Sequence, residues 1–196
     1  MRKLLSILLC CLALLLSGCQ QSGTAAGEGE KQSRVIFYFD TVVTITAYSD
    51  DPELLDAVEA ECLRYEGLLS KTVEGSDVWK LNHAGGQRIP VSEETRGLIE
   101  TALDWSRRSE GRFDISVEPC VALWDFTGEG MGRLPDADAL AEAAARVDWT
   151  RIDVNEEGVR LPAGMSIDLG AIAKGYISDR IADFMAARGV KSALLN

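Results

Sequence analysis

The segment from Ile167 to Tyr176, with the sequence IDLGAIAKGY, constrains the fold of this chain more than any other. Met165 to Leu169 has the composition of a short strand containing a carboxylate, Asp168, and Gly175 to Arg188 has the pattern of a helix. The small residues between them would let backbone N–H groups approach a phosphate at a helix start. Two interpretations stay open, a phosphate-binding turn and a glycine-rich turn needed only for packing.

Neither glycine motif of the chain identifies a ligand by itself. Gly170 and Gly175 have the spacing of a Walker P-loop, but Tyr176 stands where that motif requires lysine. The second motif, Gly111-Arg112-Phe113-Asp114, follows a predicted helix end and could present a hydrogen-bonding and stacking edge to a ligand. A surface Arg–Asp pair is the simpler explanation of that motif.

The first residues have the features of an export signal. Met1-Arg2-Lys3 is positive, and the apolar run from Leu4 to Leu16 is shorter than the roughly 20 residues that span a membrane. The run ends in Leu-Ser-Gly-Cys19, which resembles a bacterial lipoprotein box; an ordinary cleaved signal is the alternative. We therefore expect a signal peptide over residues 1–18, lipid on Cys19, and a protein exported and anchored to the outer face of a bacterial membrane. Residues 19–34 read as a flexible tether, and residues 35–196 as the folded part.

Strands and helices alternate through the folded part. Strand structure is predicted in Val35–Tyr48, a hairpin in Arg151–Leu161, and core packing for the aromatic run at 123–126. Helices are predicted after Asp51-Pro52-Glu53, from Ser92 to Arg108, and over Pro135–Val147. The helix after Glu53 has one apolar face, formed by Leu54, Val58, Cys62, Tyr65 and Leu69. The sequence ends in an apolar strand, Val190–Asn196, and we expect it to be the N-terminal part of a longer domain.

Charge and cysteine content exclude several classes of site. The net charge of −11, without a basic stripe, makes nucleic acid an improbable partner. His83 is the single histidine, so a zinc site of the Cys/His type is excluded in practice. Cys62 and Cys120 remain in the folded part, either as a disulfide or as two buried thiols.

Taken in order along the chain, the motifs resemble those of the ApbE family, which are FAD:protein FMN transferases. The motifs that carry the resemblance are Phe39–Ile45 (FDTVVTI), Leu69-Ser70 with Ser76 and Leu81-Asn82, Gly111–Asp114, Leu123-Trp124, and Asp168–Tyr176. The family implies an α+β fold of mixed sheets with packed helices and a T-fold-related architecture. It also implies Mg²⁺-dependent transfer of FMN from FAD to a threonine of an acceptor flavoprotein, with release of AMP.

The resemblance also implies roles for particular residues. Arg112, Phe113 and Asp114 would contact FAD, Asp168 would bind the flavin nucleotide, and the Ala171 carbonyl would be a ligand of Mg²⁺. Two further flavin contacts of the family fall on Phe39, where the family has methionine, and on Thr72, where it has an aromatic residue. The remaining Mg²⁺ ligands belong to a C-terminal half, so we expect this segment alone to be inactive. An FAD pyrophosphatase and a non-catalytic flavin-binding lipoprotein are the alternative functions.

Overall fold

A β-hairpin opens the folded part. The computed structural model describes residues 29–124, 126 and 132–196. Strands β1 (Lys31–Tyr38) and β2 (Thr41–Tyr48) pair antiparallel, with Lys31 opposite Tyr48 and Tyr38 opposite Thr41. The β-rich segment is therefore two strands. Phe39 and Asp40 form the turn between them, with φ angles of 58° and 55°, the conformation that a two-residue turn joining twisted strands requires.

The hairpin turn predicts a pair of opposite stability changes. Asp40→Gly should raise the free energy of unfolding by about 0.5–1 kcal/mol, because glycine adopts positive φ without steric cost. Asp40→Ala should lower it, since alanine lacks the local hydrogen bonding by which aspartate tolerates this conformation. Urea denaturation of the two variants measures both changes, and equal values for glycine and alanine would contradict the prediction.

The boundary of the expected tether needs correction. The tether is expected to reach residue 34, but residues 31–34 lie in β1, where they pair with β2. The Gln32 amide donates to the carbonyl oxygens of Ser49 and Asp51 at 2.8 Å each, and Ser33 Oγ lies 3.1 Å from Thr46 Oγ1. Residues 1–28, with the expected signal peptide and Cys19, lie outside the described part of the chain.

The long amphipathic helices form largely as predicted. Helix α1 (Leu54–Leu69) buries the whole predicted apolar face, together with Leu55. A short helix, α2 (Asp77–Asn82), was not predicted; Ser76 caps it, accepting a hydrogen bond from the Trp79 N–H. Helix α3 (Glu93–Arg108) begins after Ser92, whose side chain accepts from the Thr95 N–H as the capping pattern predicts. α4 (Glu118–Val121) and α5 (Ala137–Ala144) follow, and α5 is shorter than predicted.

Two small sheets complete the architecture. The first has the order β1-β2-β6, with β6 at Ala193–Leu195, and the second joins β3 (Arg88–Ile89), β5 (Gly158–Arg160) and β4 (Asp153–Asn155) in that order. The predicted hairpin is thus confirmed in β4 and β5. Every strand pair within the described ranges is antiparallel, whereas we expected mixed sheets; two of the pairs are hairpins, which only antiparallel strands can form. The α+β class is confirmed.

The core lies where α1 meets β1 and the last helix, α6 (Gly170–Ala187). Fully buried side chains fill it, among them Ile45 of the adjoining strand β2, Val58 of α1 and Ile181 of α6. Cys62 and Cys120 are free thiols, which leaves the disulfide interpretation unsupported. Burial is the largest cause that raises the pKa of Cys62, to about 11, so this thiol stays protonated at neutral pH.

Leu123, Trp124 and Phe126, after α4, lie at the surface, so the prediction of core packing is wrong. Trp124 and Phe126 are 37% and 65% exposed, and their rings stack with centroids 6.3 Å apart. The two residues follow the last turn of α4, and each ring covers part of the apolar surface of the other. Among the residues that the structure describes, no helix is long and apolar enough to cross a membrane.

Candidate functional site

An asparagine side chain, not a strand partner, holds the segment before Asp168. Asn82 at the end of α2 donates from Nδ2 to the Ile167 carbonyl at 3.0 Å, and its Oδ1 accepts from the Ile167 N–H at 2.8 Å. Ile167 is fully buried. The predicted strand over Met165–Leu169 is therefore wrong, because side-chain bonds from Asn82 replace the bonds a neighbouring strand would supply.

Asp168 is fixed at its main chain and at both carboxylate oxygens. Its N–H donates to the Ile115 carbonyl at 2.8 Å. Oδ1 accepts from the Gly170 N–H at 2.7 Å, and Oδ2 lies 2.8 Å from the Lys71 ammonium. Position 170 favours glycine because a Cβ there would lie 3.0 Å from Asp168 Oδ1. The carboxylate thus has one defined orientation at the start of a helix.

Helix α6 begins at Gly170, five residues before the predicted start at Gly175. The bond from the Gly170 N–H to Asp168 Oδ1 and the bond from the Ala173 N–H to the Leu169 carbonyl (2.7 Å) establish this earlier start. Ala171 is therefore a first-turn residue, and it is exposed. The first turn of a helix concentrates N–H groups and positive partial charge, which suits an anionic ligand.

Asp114 organises the neighbouring loop. Its Oδ1 accepts from the N–H and the hydroxyl of Ser116 at 2.7 Å each, and its Oδ2 accepts from the Trp149 N–H at 3.3 Å. These bonds start the 3₁₀ turn Ile115–Val117, whose first carbonyl receives the N–H of Asp168. The structure thus brings two predicted residues, Asp114 and Asp168, to one place, with Asp114 acting as a local cap.

The other two predicted FAD contacts of that motif, Arg112 and Phe113, have different surroundings. Phe113 is half-buried against the core, and its N–H donates to Ser109 Oγ at 3.0 Å. Arg112 is exposed, and its guanidinium lies 3.2 Å from the Ser109 carbonyl and 3.4 Å from Glu110 Oε2. Arg112 is therefore accessible to a ligand, whereas Phe113 presents only part of its ring.

Phe39 and Thr72 lie on different loops. Phe39 is held in the β1–β2 turn by a hydrogen bond from its N–H to Glu66 Oε1 at 2.9 Å. Its ring lines a cavity of about 250 Å³, together with Cys62 and with Lys174 of α6. Thr72 is exposed on the loop after α1, and its hydroxyl lies 3.0 Å from Ser70 Oγ. Phe39 thus lies near α6, the helix that follows Asp168. Thr72 is next in sequence to Lys71, whose ammonium pairs with Asp168.

Sequence reasoning gave no role to four residues that the structure places at or near Asp168: Lys71, Glu118, Ser166 and Asn82. Lys71 lies between Asp168 and Glu118, at 2.8 Å and 3.6 Å from their carboxylate oxygens, and the Ser166 hydroxyl donates to Glu118. Asn82 belongs to one of the motifs that carry the family resemblance, but the sequence assigned it no function. The position of Lys71 directly after the Leu69-Ser70 pair was the one available signal.

The described residues do not complete a metal site. Within residues 29–124, 126 and 132–196, no group of three or more His, Cys, Asp or Glu side chains is arranged to hold a metal ion. Asp168 is engaged by Lys71, and the Ala171 carbonyl is a single oxygen where Mg²⁺ takes six ligands. This part of the chain therefore offers at most an incomplete set of Mg²⁺ ligands.

Comparisons with known proteins identify the family of the chain. An ApbE family model matches residues 39–196. The FAD:protein FMN transferase of Klebsiella pneumoniae (strain 342) is 36% identical over 161 residues, which cover 79% of this chain and 50% of the relative. The enzyme of the same name from Treponema pallidum (strain Nichols) is 31% identical over 200 residues, which cover 94% of this chain and 54% of that protein.

Solved structures of ApbE proteins are also similar to this chain. The crystal structure of the ApbE protein from Thermotoga maritima MSB8 has a TM-score of 0.77 and 28% identity, and the match covers 85% of this chain and 56% of that one. The apo flavinyl transferase ApbE of Pseudomonas stutzeri has a TM-score of 0.75 and 25% identity, with 85% and 55% covered. The chain spans about half the length of the curated relatives that it matches. With a family model that matches most of its described residues, the chain belongs to the ApbE family.

Proposed function

We propose that the whole protein transfers FMN from FAD to a threonine side chain of an acceptor protein and releases AMP. The observation that carries the proposal is the fixed carboxylate of Asp168 just before the first turn of α6, in a chain of the ApbE family. Curated relatives named FAD:protein FMN transferase support the reaction class.

The chain's own residues would bind and orient the dinucleotide. A helix start attracts phosphate, so the first turn of α6 at Gly170 and Ala171 is suited to the FAD pyrophosphate. Asp168 Oδ1 and Oδ2 accept hydrogen bonds, which suits a hydroxyl or ring N–H of the flavin nucleotide. Exposed Arg112 can pair with phosphate, and Phe39 and Phe113 offer apolar contact to a ring.

The proposed reaction is a phosphoryl-group transfer. The threonine hydroxyl of the acceptor attacks the phosphorus of the FMN half, and the bond from that phosphorus to the oxygen of AMP breaks. A phosphoester bond forms, AMP leaves with the bridging oxygen, and the hydroxyl proton is released. Charge builds up on the phosphate oxygens in this step, so positioning and charge stabilisation dominate its catalysis.

Magnesium dependence is the part of the proposal that rests on the family resemblance. The ion would neutralise charge on the pyrophosphate, and Ala171 is the residue of this chain proposed as a ligand. We expect EDTA to abolish AMP release and added Mg²⁺ to restore it. Activity that persists in EDTA would remove the metal from the proposal.

We further propose that lipid on Cys19 anchors the protein to the outer face of a bacterial membrane. The support is the Leu-Ser-Gly-Cys sequence after a short apolar run. Cys19→Ser should move the protein from the membrane fraction to the soluble exported fraction, while Cys120→Ser should leave it with the membrane. Membrane retention of Cys19→Ser would contradict the lipid anchor.

The reaction itself is tested by labelling a threonine-containing acceptor peptide with FAD and Mg²⁺. We expect a fluorescent peptide band and one AMP per flavin attached, and no band from the same peptide with alanine for threonine. FAD cleavage without labelled peptide would favour the pyrophosphatase. No consumption of FAD would leave a flavin-binding lipoprotein.

A further inference from the structure

We propose that Lys71 is a positioning residue of the flavin-nucleotide site, an inference that rests on the proposed function. Its ammonium nitrogen lies 2.8 Å from Asp168 Oδ2 and 3.6 Å from Glu118 Oε1. Lys71 follows α1, Asp168 precedes α6, and Glu118 begins α4. One cation therefore joins three segments that are distant in the chain.

The lysine restricts the orientation of the Asp168 carboxylate. With Oδ2 held by Lys71, Oδ1 faces the Gly170 N–H at 2.7 Å. Rotation of the side chain would break both interactions. The side chains of Lys71 and Asp168 are 27% and 23% exposed, so water screens this pair less than a fully exposed one. A preoriented carboxylate binds a ligand with a smaller loss of side-chain entropy.

Lys71 also sets the charge that a nucleotide meets at this point. Asp168 and Glu118 are two carboxylates that flank the same ammonium group. Without Lys71, the phosphates of FAD would approach two carboxylates with no cation between them, and like charges at short range repel. Glu118 is in turn held by the Ser166 hydroxyl, two residues before Asp168. The contacts of Glu118 and Asp168 therefore form one network with Lys71 at its centre.

The test uses Lys71→Met and Lys71→Arg in the whole protein, with the FAD dissociation constant read from flavin fluorescence. We expect Lys71→Met to raise this constant about tenfold, which corresponds to a loss of about 1.4 kcal/mol. Lys71→Arg keeps the charge and should stay within about threefold of wild type. The matched control is Lys80→Met, because the Lys80 ammonium is half-exposed and pairs with Asp77 at 3.9 Å; it should bind FAD as wild type does.

A double-mutant cycle separates positioning from direct contact. If Lys71 acts through Asp168, Lys71→Met should add less than about a twofold loss in an Asp168→Asn background. Wild-type affinity of Lys71→Met, or a full tenfold loss in both backgrounds, would overturn the inference. Lys71→Gln replaces Lys71→Met if circular dichroism shows that the methionine variant does not fold.

Failure of the proposed function and failure of the Lys71 inference give different experimental results. A wild-type protein that binds FAD but labels no acceptor contradicts the transferase, while the cycle still reports on Lys71. A wild-type protein that binds no FAD contradicts both. Transferase activity with unchanged FAD affinity in Lys71→Met contradicts only the inference.

Discussion

Asp168→Asn is expected to weaken FAD binding about thirtyfold while the protein stays folded. A hydrogen bond to a charged group contributes about 2 kcal/mol, and a loss of that size corresponds to this ratio. Asparagine can still accept from the Gly170 N–H through Oδ1, and the main-chain bond from residue 168 to the Ile115 carbonyl does not involve the side chain. Fluorescence titration gives the affinity, and circular dichroism checks the fold.

The control for this variant is Asp179→Asn. Asp179 is exposed on the same helix, α6, so its substitution removes the same charge from the same element. We expect FAD affinity within about twofold of wild type for Asp179→Asn, because solvent screens a distant exposed charge. Wild-type affinity in Asp168→Asn would show that the Asp168 carboxylate does not contact the nucleotide.

Asn82→Ala should lower the free energy of unfolding by about 2–3 kcal/mol. The substitution removes the partner of both the N–H and the carbonyl of Ile167, and an unpaired buried polar group costs about 1–3 kcal/mol. It should also weaken FAD binding, since the backbone before Asp168 loses its support. Urea denaturation measures the first effect and flavin fluorescence the second.

Gln87→Ala is the matched control for this second prediction. Gln87 is exposed two residues beyond Gly85, and the bond from its N–H to the Ala84 carbonyl remains in the variant. Its stability should change by less than about 0.5 kcal/mol, as is usual for surface substitutions. If the free energy of unfolding of Asn82→Ala also changed by less than about 0.5 kcal/mol, water would replace the hydrogen bonds of the asparagine without loss of stability.

The helices that could be predicted are those whose signals are local. The apolar face of α1 and the Ser92 cap of α3 lie within a few turns of sequence, and both are present in the structure. The start of α6 could not be predicted, because the Asn82 bonds that shape the segment before it come from 85 positions away. The turn at Phe39 and Asp40 was missed for a different reason: it lacks the glycine that usually marks positive φ.

In the site, too, the features with local sequence signals could be predicted and those that depend on distant contacts could not. The motifs at 111–114 and 168–176 were recognisable because each has an unusual local composition, and the structure joins them through the bond from the Asp168 N–H to the Ile115 carbonyl. Lys71 was not recognisable, because a single lysine on a loop has no periodicity or spacing to mark it. Its proximity to Asp168 depends on how α1 packs against α6.

The position of β2 within its sheet has a consequence for the newly synthesised chain. β2 lies between β1 and β6, and β6 is synthesised roughly 150 residues after it. At about 5–20 residues per second, one edge of Thr41–Tyr48 therefore stays open for on the order of ten seconds. An open, β-branched edge can pair with another chain, so the hairpin is most prone to aggregate during translation. The last residues of the sequence then cover that edge from Thr44 to Tyr48, with Thr44 bonded to Asn196 in both directions at 2.7 and 2.9 Å.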